Sequence, residues 1–309
     1  MRELVFIFLA ISLAGCASLP GEKIYSGRVT PPVVQNEDNG KGKIDEAIRG
    51  LFEEGARRIN ESPKESLQIF NEVSRLAPRS WVPHYNAAVA FIKLREFKKS
   101  ETELKRALEA NAPPTTILNA FGAVYQYLNN RQKAVESYEK SLLYKKTPVA
   151  LVNLASLYYA AGEEKKAVNC LYELEQLSYQ NRDVNYNTAL LWFKMGRYQD
   201  ADEAVEKALR DANDGYVKPM YLKSQILLRQ GKYDDAVKVM QQVYSINGLD
   251  PTPYMEIGII YELYVGDTEK ALENYRFYVS KNGKKAKEVA GWIDIIKTRQ
   301  TQSGGKSGS

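Results

Sequence analysis

Hydrophobic positions along this chain recur in a long, regular pattern. From about Asp45 to Gly283 a small residue returns at Ser66, Ser100, Ala134, Ala167, Ala201, Ala236 and Ala271, at intervals of 34, 34, 33, 34, 35 and 35 residues. Four residues after each comes a large apolar or aromatic residue: Phe70, Leu104, Tyr138, Leu171, Val205, Met240, Tyr275. A turn-forming triplet precedes each anchor after the first: Arg95-Glu96-Phe97, Asn129-Asn130-Arg131, Gly162-Glu163-Glu164, Gly196-Arg197-Tyr198, Gly231-Lys232-Tyr233 and Gly266-Asp267-Thr268. Upstream of the turn, small residues are followed three later by an aromatic: Ala88 and Phe91, Gly122 and Tyr125, Ala155 and Tyr158, Ala189 and Trp192, Gly258 and Tyr261. Spacings of three and four place these residues on one helix face. Pro78, Pro113-Pro114, Pro148 and Pro251 punctuate the unit boundaries, where proline ends one helix or opens the next. The pattern predicts seven helical hairpins, at about 47–80, 81–114, 115–147, 148–181, 182–216, 217–250 and 251–283. The small residue lets two helices approach closely, and neither helix can bury its apolar stripe alone, so neighbours must stack.

This pattern resembles the tetratricopeptide (TPR) repeat, most clearly in Gly196-Arg197-Tyr198-Gln199-Asp200-Ala201 and Gly231-Lys232-Tyr233-Asp234-Asp235-Ala236. The resemblance covers about three-quarters of the chain. It implies an all-α fold: a right-handed superhelix of about seven antiparallel helix pairs. Departures fall at the ends of the array. The first segment fits well only in its second helix, and the last carries one extra residue within Glu262–Asp267. A final helix over about 284–300 places Ala286, Val289, Trp292, Ile293 and Ile296 on one stripe with several Lys opposite, and is expected to cap the last hairpin. Residues 301–309 are expected to form a disordered tail.

The beginning of the chain reads differently. Leu4 to Ala14 is an apolar run of 11 residues, the length of a signal-peptide core and too short to span a bilayer. It ends in Leu13-Ala14-Gly15-Cys16, which resembles the lipobox of bacterial lipoproteins. The resemblance implies removal of residues 1–15, with diacylglycerol on the Cys16 sulfur and an acyl chain on its new amino group. Several acyl chains, at about 0.8 kcal/mol per buried CH₂, give a stable anchor. Ala17 and Ser18 follow, without the Asp that retains such proteins in the inner membrane of enteric bacteria. The expected location is therefore the outer membrane, facing the periplasm. Residues 17–43 are rich in Gly, Pro, Asn and charge and lack periodicity, which predicts a flexible tether (16–44 with the lipidated Cys), on average roughly 25–30 Å long.

Composition narrows the chemistry. Two Cys and one His cannot supply a four-ligand zinc site. The net charge of +5 is spread along the chain and reads as a solvated surface, so no nucleic acid is expected. Gly305-Lys306-Ser307 imitates the end of a phosphate loop but lacks its first Gly and any preceding strand. Cys170, beside the packed Leu171, reads as a small buried hydrophobe, with an intermolecular disulfide as the alternative. His84 reads as a surface or cap residue, and Glu136 with Lys140 as a solvated ion pair. No enzyme, no cofactor, no metal and no small-molecule substrate are expected.

TPR proteins bind partners on a concave wall built by the first helix of each hairpin. The family register puts Tyr85, Asn86, Lys93, Asn119, Gln126, Tyr127, Asn153, Tyr159, Tyr186, Asn187, Lys194, Tyr221, Gln225 and Arg229 on that wall. Asn86, Asn153 and Asn187 share one position, where an amide can bond a peptide main chain without reading its sequence. The alternative is that these Asn stabilise helix packing and the Tyr fill gaps between repeats. The expected function is a membrane-anchored scaffold for protein or peptide partners in an envelope assembly, motility or secretion complex. An adaptor recruiting peptidoglycan hydrolases or proteases, and a structural spacer, are the alternatives.

Overall fold

A computed structural model describes residues 46–304, apart from 178, 180 and 211–214. The leader, Cys16 and the tether, together with Gly305-Lys306-Ser307, lie outside the described residues. Fifteen α-helices and one π-helical turn make up the described fold, with no strand among the described residues. The chain divides into two compact units, and the described parts of these are 46–180 and 181–304.

The first unit holds four hairpins: α1 (Glu46–Glu61) with α2 (Pro63–Leu76), α3 (Val82–Lys93) with α4 (Phe97–Glu109), α5 (Pro114–Tyr127) with α6 (Arg131–Tyr144), and α7 (Pro148–Ala160) with α8 (Glu164–Glu175). The second holds α9 (Arg182–Lys194) with α10 (Tyr198–Leu209), α11 (Lys218–Arg229) with α12 (Tyr233–Ile246), α13 (Thr252–Ile260) with α14 (Thr268–Ser280), and the closing α15 (Ala286–Gly304). Two boundaries differ from the sequence pattern. The first segment has a complete first helix, α1, whose Phe52 and Ile59 are buried against α2 and its neighbours. The closing helix runs from Ala286 to Gly304, so 301–304, expected in the disordered tail, are helical.

Six hairpins turn in the same way. The first helix ends at a residue in the left-handed region: Arg95, Asn129, Gly162, Gly196, Gly231 or Gly266. The next residue's N–H then reaches back to the first helix, as in Glu96 to the Phe91 carbonyl (2.9 Å) and Lys232 to the Leu227 carbonyl (2.9 Å). This is the Schellman closure, and it satisfies helix-end carbonyls that would otherwise be orphaned. Arg95 is the costly member, because its Cβ crowds the carbonyl at φ 62°. In the last hairpin the same bond runs from Asp267 to Tyr261, spanning one residue more. The extra residue is taken up as the π-helical turn Tyr261–Val265.

All seven anchor residues, Ser66 to Ala271, are fully buried. Where the anchor is Ser, its hydroxyl donates across the crossing, from Ser66 to the Gly55 carbonyl (2.8 Å) and from Ser100 to the Ala88 carbonyl (2.9 Å). The large residue four later is buried in every hairpin. Its size is matched to the facing position on the first helix. Opposite Phe70, Tyr138 and Tyr275 stand Gly55, Gly122 and Gly258; a Cβ on Gly122 would sit 2.5 Å from the Tyr138 ring. In the same register the aliphatic Leu104, Leu171, Val205 and Met240 are matched by Ala88, Ala155, Ala189 and Ser224. In the second unit α15 buries Val289, Ile293 and Ile296 against α13 and α14, covering the apolar face that the last hairpin would otherwise leave to water.

A candidate partner-binding face

The residues that the family register assigns to a binding wall fall into two groups. Tyr85, Asn86, Gln126, Asn153, Tyr186 and Asn187 are buried. Lys93, Lys194 and Arg229 are exposed, and Asn119, Tyr127, Tyr159, Tyr221 and Gln225 are half-buried.

The buried group is largely occupied with packing. The Tyr138 hydroxyl of α6 donates to Gln126 Oε1 (2.8 Å) and accepts from Asn153 Nδ2 (3.1 Å). One phenol thus ties together α5, α6 and α7. Of the half-buried group, Asn119 is also engaged: it donates to the Thr147 hydroxyl (3.1 Å), and Thr147 in turn caps α7 by accepting from the Ala150 N–H (3.4 Å). Asn86 is wholly buried, and neither its amide oxygen nor its amide nitrogen has a hydrogen-bond partner. An unmade amide pair of this kind costs stability. With no accessible surface, Asn86 cannot touch a ligand unless its neighbours move. Burial also pushes the Tyr85 hydroxyl far above the usual phenol range.

Most of the accessible group lies in the C-terminal halves of successive first helices; Asn119 and Tyr221 lie nearer the start of theirs. In the first unit the C-terminal members are Lys93 at the end of α3, Tyr127 at the end of α5 and Tyr159 near the end of α7. Tyr127 stacks on Phe97 at 4.9 Å with near-parallel rings. Desolvation raises the Tyr127 hydroxyl pKa and lowers that of the Lys194 ammonium. In the second unit Tyr221, Gln225 and Arg229 follow one another at helical spacing along α11. Burial pushes the Tyr221 hydroxyl up to about 12.

A second series runs beside the turns and was missed by sequence reasoning. Lys99 lies over Phe91, Lys133 over Tyr125, Lys166 over Tyr158 and Lys270 over Tyr261, at 5.1–5.6 Å from the ring centres. Arg197 lies over Trp192 at 4.5 Å. Each pair is a cation–π contact worth roughly 0.5–1 kcal/mol at an exposed site. The signal was present in the sequence: each of these Lys sits one residue before the small anchor.

Three side chains of the first unit line up unexpectedly. Ser74 Oγ lies 3.4 Å from His84 Nε2, and His84 Nδ1 lies 2.8 Å from Glu103 Oε2. The atoms follow the order of a hydrolase relay. However, Ser74 is in the body of α2, where the surrounding N–H groups are committed to the helix and no pair is left for an oxyanion. Glu103 is also shared with Arg106 (2.6 Å). The three residues act as a polar clip joining α2, α3 and α4. Cys170 is buried, and burial raises its thiol pKa to about 11, so it is a poor nucleophile. Glu136 and Lys140 form an exposed pair at 2.7 Å. Among the described residues no three His, Cys, Asp or Glu side chains gather as a metal site would require. No helix among the described residues is long and apolar enough to cross a membrane.

Comparison with known proteins supplies an independent view of these hairpins. Two family models described as tetratricopeptide repeat match, over residues 186–252 and 115–148. A TPR repeat-containing protein of Methanocaldococcus jannaschii is 25% identical over 231 residues, covering 68% of this chain and 38% of its own length. A BBSome complex member of Bos taurus is 28% identical over 105 residues, covering 34% of this chain and 20% of its own. The chain thus spans well under half the length of these relatives. Among solved structures, the APC/C hetero-tetramer superposes with a TM-score of 0.58 at 12% identity, covering 82% of this chain and 49% of that one. PilW, a widely conserved type IV pilus biogenesis factor, gives 0.53 at 15% identity, covering 65% of this chain and 94% of that one. At these identities the structural likenesses speak to the fold.

Proposed function

We propose, starting from a chain that carries tetratricopeptide repeats, that this protein is a lipid-anchored scaffold holding protein or peptide partners in an assembly of the bacterial envelope. One observation carries the binding part. Half-buried Tyr and exposed cationic side chains recur along successive first helices, while the buried Asn and Gln of the same helices fix the geometry beneath them. Tyr gives rigid contact area with a polar tip, and Lys or Arg can meet a carboxylate. Repeat arrays bind by such extended faces. The protein is not read as an enzyme: among the described residues, the relay-like Ser74–His84–Glu103 cluster lacks an oxyanion site.

The envelope part rests on Leu13-Ala14-Gly15-Cys16 and the apolar run before it. Cys16 would carry the diacylglycerol and acyl chains, and Ala17-Ser18 favours the outer membrane, with the repeats facing the periplasm. No cofactor enters this function. The experiment is crosslinking in the native envelope followed by mass spectrometry, with wild type beside a variant carrying Tyr127→Ala, Tyr159→Ala and Tyr221→Ala. Partners captured by wild type and lost by the folded variant support the scaffold; identical partners from both would place binding elsewhere. In parallel, Cys16→Ser should release the protein from the membrane fraction, and retention there would defeat the lipid anchor.

A further inference from the structure

Exposed large apolar side chains are not scattered over the first unit. Among its described residues they are Leu76, Leu108, Leu143, Tyr144 and Tyr172, and each lies in the last turn of a second helix, α2, α4, α6 or α8. Singly such residues need no explanation, but their confinement to one kind of position does. The hairpins are antiparallel and their connections short, so the ends of the second helices and the starts of the first helices share one edge of the stack. The opposite edge, made by the turns inside the hairpins, carries no exposed large apolar residue among the described residues of this unit. The apolar edge is most open at α6, where Leu143 is 85% and Tyr144 67% exposed. Basic residues accompany it. The last turns of α2, α4 and α6, with the connections that follow them, carry Arg75, Arg79, Arg106, Lys145 and Lys146, all exposed, against one exposed acid, Glu109. Arg106 reaches Glu103 (2.6 Å) and Lys146 reaches Glu173 of α8 (2.7 Å), yet both cations stay more than half exposed. The basic stretch stops at α8, which ends on the exposed Glu173 and Glu175.

We infer that this edge rests on the surface of an anionic phospholipid bilayer, the membrane that holds the lipid on Cys16; this rests on the lipid-anchor reading. Two features select a bilayer over a second copy or a protein partner. The first is where the chain comes from. Cys16 is joined through residues 17–45 to Glu46, the first residue of α1. Because α1 is a first helix, its start lies on this same edge, and the anchor joins the fold from the side of the exposed Leu and Tyr residues. The second is chemistry. Leu143, Tyr144, Lys145 and Lys146 set an apolar side chain, an amphipathic ring and two cations in succession. These suit the acyl boundary, the headgroup level and the lipid phosphates in turn. Five bases against one acid complement a surface of phosphates.

The lipid makes the contact intramolecular, so a weak one suffices. Each cation close to an anionic surface contributes about fivefold to the equilibrium. Without the lipid the contact is too weak to retain the protein, and a chain with Cys16→Ser still leaves the membrane. The contact therefore orients more than it holds. With this edge on the bilayer, the helices of the first unit stand on end, and the turns at Arg95, Asn129 and Gly162 face away from lipid. Lys93, Tyr127 and Tyr159, close to those turns, are then held clear of the headgroups and open to a partner.

The test uses the full lipidated chain in vesicles of phosphatidylethanolamine and phosphatidylglycerol, in a Cys170→Ser background. An environment-sensitive fluorophore is attached to Leu143→Cys in one sample and to Lys165→Cys, in the first turn of α8 at the opposite edge, in another. Nitroxide quenchers within the bilayer should dim the label at Leu143→Cys several-fold more than that at Lys165→Cys. Adding Lys145→Glu with Lys146→Glu should abolish the excess while leaving the melting temperature unchanged, and raised salt or vesicles of phosphatidylcholine alone should reduce it. Equal quenching at the two positions, or an excess indifferent to charge reversal and salt, would overturn the membrane edge. So would shielding of the Leu143→Cys label in the soluble Cys16→Ser chain that grows with protein concentration, which marks a contact between copies. Mass spectrometry of Cys16 in the same samples separates the two failures. With the acyl mass present, a missing contrast removes this edge alone; with it absent, the anchor reading falls and takes the edge with it.

Discussion

Two kinds of hairpin share this chain. In α1/α2, α5/α6 and α13/α14 a glycine faces an aromatic ring; in the other four, Ala or Ser faces Leu, Val or Met. Both arrangements fill the same crossing, but they do different things with it. The aliphatic side chains end there. Tyr138 and Tyr275 extend further and carry a hydroxyl to the next polar group, Gln126 and Asn153 in one case and Glu262 in the other. Gly122 and Gly258 thus exchange some helix propensity for a polar connection, at a cost of roughly 0.5–1 kcal/mol per Gly relative to Ala, while Gly55 makes room for the Phe70 ring alone. Close packing is therefore set pairwise across each crossing, with the smallest residue facing the largest ring.

The most disruptive way to break the comparison is Gly122→Ala. A Cβ at 2.5 Å from the Tyr138 ring forces a buried aromatic to move, and urea unfolding should show a loss of about 2–4 kcal/mol. Adding Tyr138→Leu should recover part of this, converting the hairpin to the other kind; a double mutant no better than the sum of the singles would show that the two positions are not coupled. Tyr138→Phe keeps the ring but strands Gln126 and Asn153, and should cost about 1–3 kcal/mol by the same measurement.

Glu256→Gln separates the last hairpin from the rest by pH. Burial raises the folded-state pKa of Glu256, on α13, so ionisation opposes folding: the penalty is absent below about pH 4.5, grows as pH rises, and is complete above about 7. The variant should melt with wild type at pH 4 and be more stable by about 1–3 kcal/mol at pH 8. Equal stability at both would mean that the carboxyl is well solvated. Arg95→Gly should raise stability by about 1 kcal/mol by relieving a left-handed Arg, bringing that turn into line with those at Gly162, Gly196 and Gly231. The smallest change expected is for Lys166→Met, about 0.5 kcal/mol lost with the cation–π contact to Tyr158, near the resolution of thermal unfolding.

The helical fold was legible because it rests on local chemistry repeated many times. Small anchors, left-handed turn residues and prolines each fix one joint, and all recur at one period. Even the extra residue near Glu262 was visible as a broken interval. The binding face was harder to read. Asn86, Asn153 and Gln126 carry the same amide in the sequence, yet Asn86 is left without a partner while the other two bond Tyr138. What differs is the Tyr138 hydroxyl: the residue of the same register in the hairpin before Asn86 is Phe70, which has none. The Ser74–His84–Glu103 clip joins residues 10 and 19 apart, a separation with no helical meaning, so nothing in the pattern could single it out.

The π-helical turn at Tyr261–Val265 has a consequence for how such arrays change over generations. One added residue there swells a single turn, and the closing bond from Asp267 still finds Tyr261. Downstream, Ala271 and Tyr275 return to their buried places as though nothing had been inserted. The joint behaves as a buffer for copying errors in length. A slip of one residue is absorbed where it occurs, the modules beyond it keep their phase, and the bulge left behind brings Leu263, Tyr264 and Val265 to the surface, where selection can act on them.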